Sequence, residues 1–96
     1  MTALELIKSV GIYKLSDCAG AGCPCGHCYI MGIDIYFHCW RNNCRDCEFS
    51  GVHIKQHWDF NYSDSELNNI GNEVINQLKE VWSNTDWKLV IINKDL

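Results

Sequence analysis

Seven cysteines lie between positions 18 and 47 of this 96-residue chain, and none lies outside that window. They read Cys18-x4-Cys23-x-Cys25-x2-Cys28, then ten residues, then Cys39-x4-Cys44-x2-Cys47. A Cys-x-x-Cys turn holds two sulfurs on one side of a tight knuckle. Two such knuckles, Cys25/Cys28 and Cys44/Cys47, are fifteen residues apart, an interval over which a hairpin closes four sulfurs on one tetrahedral zinc ion. An odd number of cysteines suits a closed disulfide framework poorly. The first residues, MTALELIKSVGIYKL, lack the charged start, long apolar run and small-residue cleavage site of a secretory signal. The chain is therefore expected in the cytoplasm, where thiols stay reduced and clustered cysteines bind metal.

The spacing leaves the ligand sets open. The first set is Cys25, Cys28, Cys44 and Cys47, although Cys23 could exchange with Cys25 and Cys39 with Cys44. Cys18, Cys23 and Cys39 remain, and with one histidine, His53 or His57, they complete a second tetrahedral site. The expectation is thus one zinc ion or two. The run Cys39-x4-Cys44-x2-Cys47 also matches plant-type ferredoxin spacing, but the fourth ligand of that iron–sulfur cluster would have to come from upstream. A closed thiolate site is structural, since a catalytic zinc keeps an open position. No His-x-Glu precedes Pro24-Cys25-Gly26-His27-Cys28, so the zinc-deaminase pattern is incomplete. The Cys25–Cys28 pair sits in a Gly-rich run rather than opening a helix, against a thioredoxin-like role. The chain reads as a non-enzyme.

The periodicity predicts an α+β fold, read as a single domain over residues 1–96. Residues 18–58 form its metal-binding segment and residues 63–96 a helix–strand segment. Residues 3–9 suit a short helix or strand, Val10–Leu15 a strand, and Asp17–Cys28 a loop. The β-branched and aromatic run 29–40 predicts a strand with a bulge or bend at Gly32. Its alternation puts Ile33, Ile35 and Phe37 on one face, with Asp34, Tyr36 and His38 on the other. Residues 52–58 predict a strand with Val52, Ile54 and Gln56 opposite His53, Lys55 and His57. Ser63 and Glu66 form a capping box before an apolar stripe of Leu67, Ile70, Val74, Leu78 and Val81, so the main helix spans about 64–83. Asn84 would cap its end. The run 87–93 predicts a final strand, and the helix is the crossover if strands 52–58 and 87–93 share a sheet. A hydrophobic content of 47% argues against disorder. No stretch reaches the ~18 apolar residues that span a membrane.

Four short matches carry a family resemblance: Cys23-Pro24-Cys25-Gly26-His27, Tyr36-Phe37-His38-Cys39, Cys44-Arg45-Asp46-Cys47 and Gly51-Val52-His53-Ile54. Together they make Cys23–Ile54, about a third of the chain, resemble the zinc ribbon of DNA primases and related replication and transcription proteins. The insertion Trp40–Asn43 displaces the second cysteine pair from that pattern. The resemblance implies a zinc-ribbon-like fold for this segment and, by extension, a role in reading single-stranded template.

Net charge is −4, and residues 63–96 carry −3 of it. An acidic chain is a poor general ligand for phosphate backbones and suits a protein partner better. Glu66, Glu73 and Glu80 recur every seven residues along the helix as an acidic line. The chain therefore reads as a small zinc-binding protein-interaction module: an adaptor, regulator or inhibitor of a larger partner. The alternative is nucleic-acid binding through Trp40, Arg41, Arg45 and Lys55, with His53, His57 and Trp58 nearby, where aromatics would stack bases and cations meet phosphate.

Overall fold

The computed structural model describes residues 2–17, 25–38, 50–57, 59–81, 83 and 86–92. Helix α1 (Ala3–Val10) starts at a capping box, in which the Thr2 hydroxyl accepts from the Glu5 amide and the Glu5 carboxylate accepts from the Thr2 amide. Gly11, at φ 99°, ends it in a backbone region that favours glycine. A one-turn helix, α2 (Ile12–Leu15), follows where a strand was expected over Val10–Leu15. The reason is long-range. Gln77 Oε1 accepts the Ile12 amide at 2.7 Å, and Gln77 Nε2 donates to the Ile7 carbonyl at 3.0 Å, so a distant side chain splices the two helices.

Strands β1 (Gly26–Ile30) and β2 (Ile33–His38) pair antiparallel, joined by the two residues Met31 and Gly32. Both have positive φ, 49° and 82°, as a type I′ turn requires. The expected single strand bent at Gly32 is therefore a hairpin, and the expected loop Asp17–Cys28 already becomes strand at Gly26. Strand β3 (Gly51–Gln56) pairs antiparallel with β2. Helix α3 (Asp64–Val81) then crosses over to β4 (Lys88–Ile92), which runs parallel to β3. Among the described residues the result is a mixed four-stranded sheet in the order β1-β2-β3-β4, within a small α+β fold. The capping box at Ser63/Glu66 and the crossover role of α3 are as the sequence predicts. The proposed cap at Asn84 lies outside the described residues. No described helix is long and apolar enough to cross a membrane.

The helices cover one face of the sheet. Leu67, Ile70, Val74, Ile75 and Leu78 of α3 and Ala3 and Ile7 of α1 pack with Cys28, Ile33, Ile35, Phe37, Val52 and Ile54 in one core. Each large side chain so buried contributes about 1.5–3 kcal/mol. Gly71 lets α3 approach β4, for a Cβ there would come within 2.3 Å of Leu89. Gln56, fully buried among these apolar groups, is satisfied by loop backbone: it accepts from the Tyr62 amide at 2.8 Å and donates to the Tyr62 carbonyl at 3.2 Å. The opposite face of the sheet carries all four histidines of the chain, with Tyr29 and Tyr36 about half exposed at 53% and 45%.

Candidate metal centre

Strand register decides where the cysteine-bearing segments attach. Gly26 pairs with Phe37, and His38 pairs with Gly51, so the start of β1, the end of β2 and the start of β3 share one end of the sheet. Cys25 directly precedes Gly26 there. Asp17 reaches the same strand end: its amide donates to the His27 carbonyl at 3.1 Å, and its carboxylate accepts the His27 amide at 2.6 Å. The chain therefore enters residues 18–24 beside β1 and leaves them into β1. It likewise enters residues 39–49 from β2 and leaves them into β3. Cys18, Cys23, Cys39, Cys44 and Cys47 belong to those segments and lie outside the described residues, as do Trp40, Arg41, Arg45 and Trp58.

The two described cysteines differ in kind. Cys25 is half-buried at the sheet end. Cys28 lies opposite Ile35 on the helix-covered face, only 4% exposed. Burial, reinforced by the charges of Asp17 and Asp34, pushes its thiol up to about 11. A metal ligand must be a thiolate, and burial in the core works against that form at Cys28. A strand also turns successive side chains to opposite faces, so residues 25 and 28 do not present two sulfurs as a knuckle does.

The histidines separate as well. His53 of β3 and His38 of β2 bring their Nε2 atoms to 2.9 Å at the cysteine-bearing end, with rings 26° from parallel and Tyr36 alongside. Burial lowers the pKa of both, and the neighbouring His53 lowers that of His38 further, so both rings favour the neutral form. His57 lies at the far end: its amide donates to the Gly32 carbonyl, and its Nε2 meets Asp34 Oδ2 at 2.9 Å. Asp34 Oδ1 meets His27 Nε2 at 3.2 Å, so one carboxylate joins two imidazoles. Of the two histidines considered for a second site, His53 stands toward the sheet end to which the cysteine segments attach, and His57 lies at the other end. Lys55 lies on the same open face, paired in register with Asp34.

Among the described residues no three His, Cys, Asp or Glu side chains are grouped to hold a metal ion. They do gather Cys25, the His38–His53 pair and the points at which the cysteine segments attach at one end of the sheet. Sequence reasoning missed His38 as a partner of His53. It stands next to Cys39 and alternates with Tyr36, but only the β2–β3 register shows which histidine it faces. No protein-family model, curated protein or solved structure matches this chain.

Proposed function

We propose that this chain is a small zinc-binding protein whose metal staples one end of a β-sheet, and which acts by binding a larger partner rather than by catalysis. The observation that supports this reading is the register that brings the attachment points of both cysteine segments to a single sheet end. Cys25, Cys44 and Cys47 remain the first ligands, in a zinc-ribbon-like arrangement. Cys23 or Cys18 is a better fourth than Cys28, whose thiol belongs to the core. Metal analysis of the purified chain tests this directly. Zinc that survives gel filtration supports it, a brown iron-containing protein favours the iron–sulfur alternative, and a chain without metal overturns both.

A protein remains the first expectation for the partner, but the acidic helix line supports it less than its spacing suggests. Glu66 closes the Ser63 capping box, and Glu73 accepts from Gln77 Nε2 at 3.0 Å, so two of its three carboxylates have internal work. The exposed Tyr29 and Tyr36, with Lys55 beside them, favour a second reading in which the open sheet face stacks the bases of a single strand. Titration with labelled single- and double-stranded oligonucleotides at low salt separates the two. Saturable single-strand binding, lost in Tyr36→Ala, supports the second reading, and its absence leaves the protein partner.

A further inference from the structure

We infer that a second copy of this chain pairs with the outer edge of β4, antiparallel and about a two-fold axis at Val90, so that the sheets of two protomers continue as one. This surface lies outside the zinc reading, and its occupant does not depend on a metal. Strand β4 is last in the order β1-β2-β3-β4. The Lys88 amide donates to the Ser50 carbonyl at 3.0 Å, on the β3 side. Backbone groups alternate in direction along a strand. Lys88, Val90 and Ile92 therefore turn their N–H and C=O groups to β3, and Leu89 and Ile91 turn theirs outward. Among the described residues none pairs with those outward groups. The side chains suit an interior strand. Beyond Lys88 the run is apolar on both faces, as in strands covered on both sides. Yet Leu89, Val90 and Ile91 are only half-buried, and Ile92 is 42% exposed. Past Lys88 this edge lacks the charges and prolines that blunt an edge, which makes it a template for another strand.

The strand is complementary to itself. Centred on Val90, an antiparallel pair sets Leu89 opposite the partner's Ile91 and Ile91 opposite the partner's Leu89. These are the residues whose backbone groups point outward, so each such N–H meets a C=O across the axis. No other register pairs both residues within the strand. On the helix side Leu89 and Ile91 line an open groove with Asp64 and Asn68, and the partner's Ile91 and Leu89 extend the apolar row across it. The helices are complementary in charge as well. Asp64, Asn68, Ile75 and Lys79 recur at helical spacing down this flank of α3, which is acidic in its first turn and basic in its last. The two-fold axis runs the partner's α3 antiparallel, bringing the Asp64 end of each helix toward the Lys79 end of the other.

Sedimentation and hydrogen exchange of the wild-type chain test this together. Mass should rise with concentration from monomer to dimer. Over the same range the Leu89 and Ile91 amides should gain protection, while Val90, already bonded to β3, changes little. A chain that stays monomeric at millimolar concentration overturns the inference and leaves the edge to a strand of another protein. A dimer in which Leu89 and Ile91 gain no protection overturns it too, because the contact then lies elsewhere. So does protection of both amides in the monomer, where the edge is covered within one chain. Register is read at Ile92, which falls opposite the partner's Lys88. Ile92→Lys opposes like charges at both ends of the pairing and Ile92→Glu unlike charges, so the lysine variant should dimerise about tenfold more weakly than the glutamate variant. Lys55 lies beside Ile92 in monomer and dimer alike and cancels from the comparison. Equal dissociation constants, in variants that keep the wild-type circular dichroism, overturn the pairing.

Discussion

Met31 occupies the first central position of a type I′ turn at φ 49°, a conformation that costs a non-glycine residue and that asparagine tolerates best. Its side chain is 43% exposed, and its carbonyl, which accepts the Tyr62 hydroxyl, is kept by any substitution. Met31→Asn is therefore expected to stabilise the fold by up to about 1 kcal/mol, seen as a raised thermal midpoint. Gly32→Ala has the opposite sign, because φ is 82° and a new Cβ would fall within 2.3 Å of the Phe60 ring. The same residues explain why the hairpin was hidden in the sequence. Gly32 alone reads as a bulge, and methionine gives no turn signal before it. At Thr2 and Glu5 the hydroxyl hydrogen bond, followed by the backbone one, lowers the Glu5 pKa. The support that the cap gives α1 is thus present above the unfolded carboxylate pKa and lost as pH falls through the lower folded value. Protection of the Glu5 and Leu6 amides, corrected for intrinsic exchange, should fall as pH drops below the ordinary carboxylate range, and protection unchanged across that range would refute the cap.

At the scale of elements, Gln77 ties α3 to the α1–α2 junction. Gln77→Leu leaves the Ile12 amide without its acceptor and should cost about 1–3 kcal/mol in chemical denaturation, despite a good helix former at the site. Gly71→Ala is a comparable test. Alanine gains about 1 kcal/mol of helix propensity, yet the contact with Leu89 is expected to make the variant less stable. Leu89→Ala in the same chain should recover part of the loss. Helix α3 was legible because its capping box and apolar stripe are local signals. The helical turn at Ile12–Leu15 was not, because its apolar alternation resembles a strand and the cap that makes it helical comes from Gln77 Oε1, sixty-five positions away. Faces of β2 and β3 could be read from alternation alone. Register could not, and the pairing of His38 with His53 depends on register.

Across the whole molecule the two ends of the sheet are held by different means. At the hairpin end, Tyr62 bridges Gln56 and the Met31 carbonyl, and His57 binds the Gly32 carbonyl. The other end carries the proposed metal. Chelation is therefore expected to speed hydrogen exchange at Gly26, His38 and Gly51 first, while the α3 amides around Val74 stay protected. Uniform loss of protection would instead make the metal a condition of the entire fold. The order of events follows from chain geometry. Asp17 and Cys25 flank the first cysteine segment, His38 and Ser50 the second, and all four lie at this sheet end. The two ends of each segment are thus held by strand pairing, which meets part of the entropy of bringing them together. A zinc ion bound at this end, as proposed, should therefore leave and return with the surrounding sheet intact.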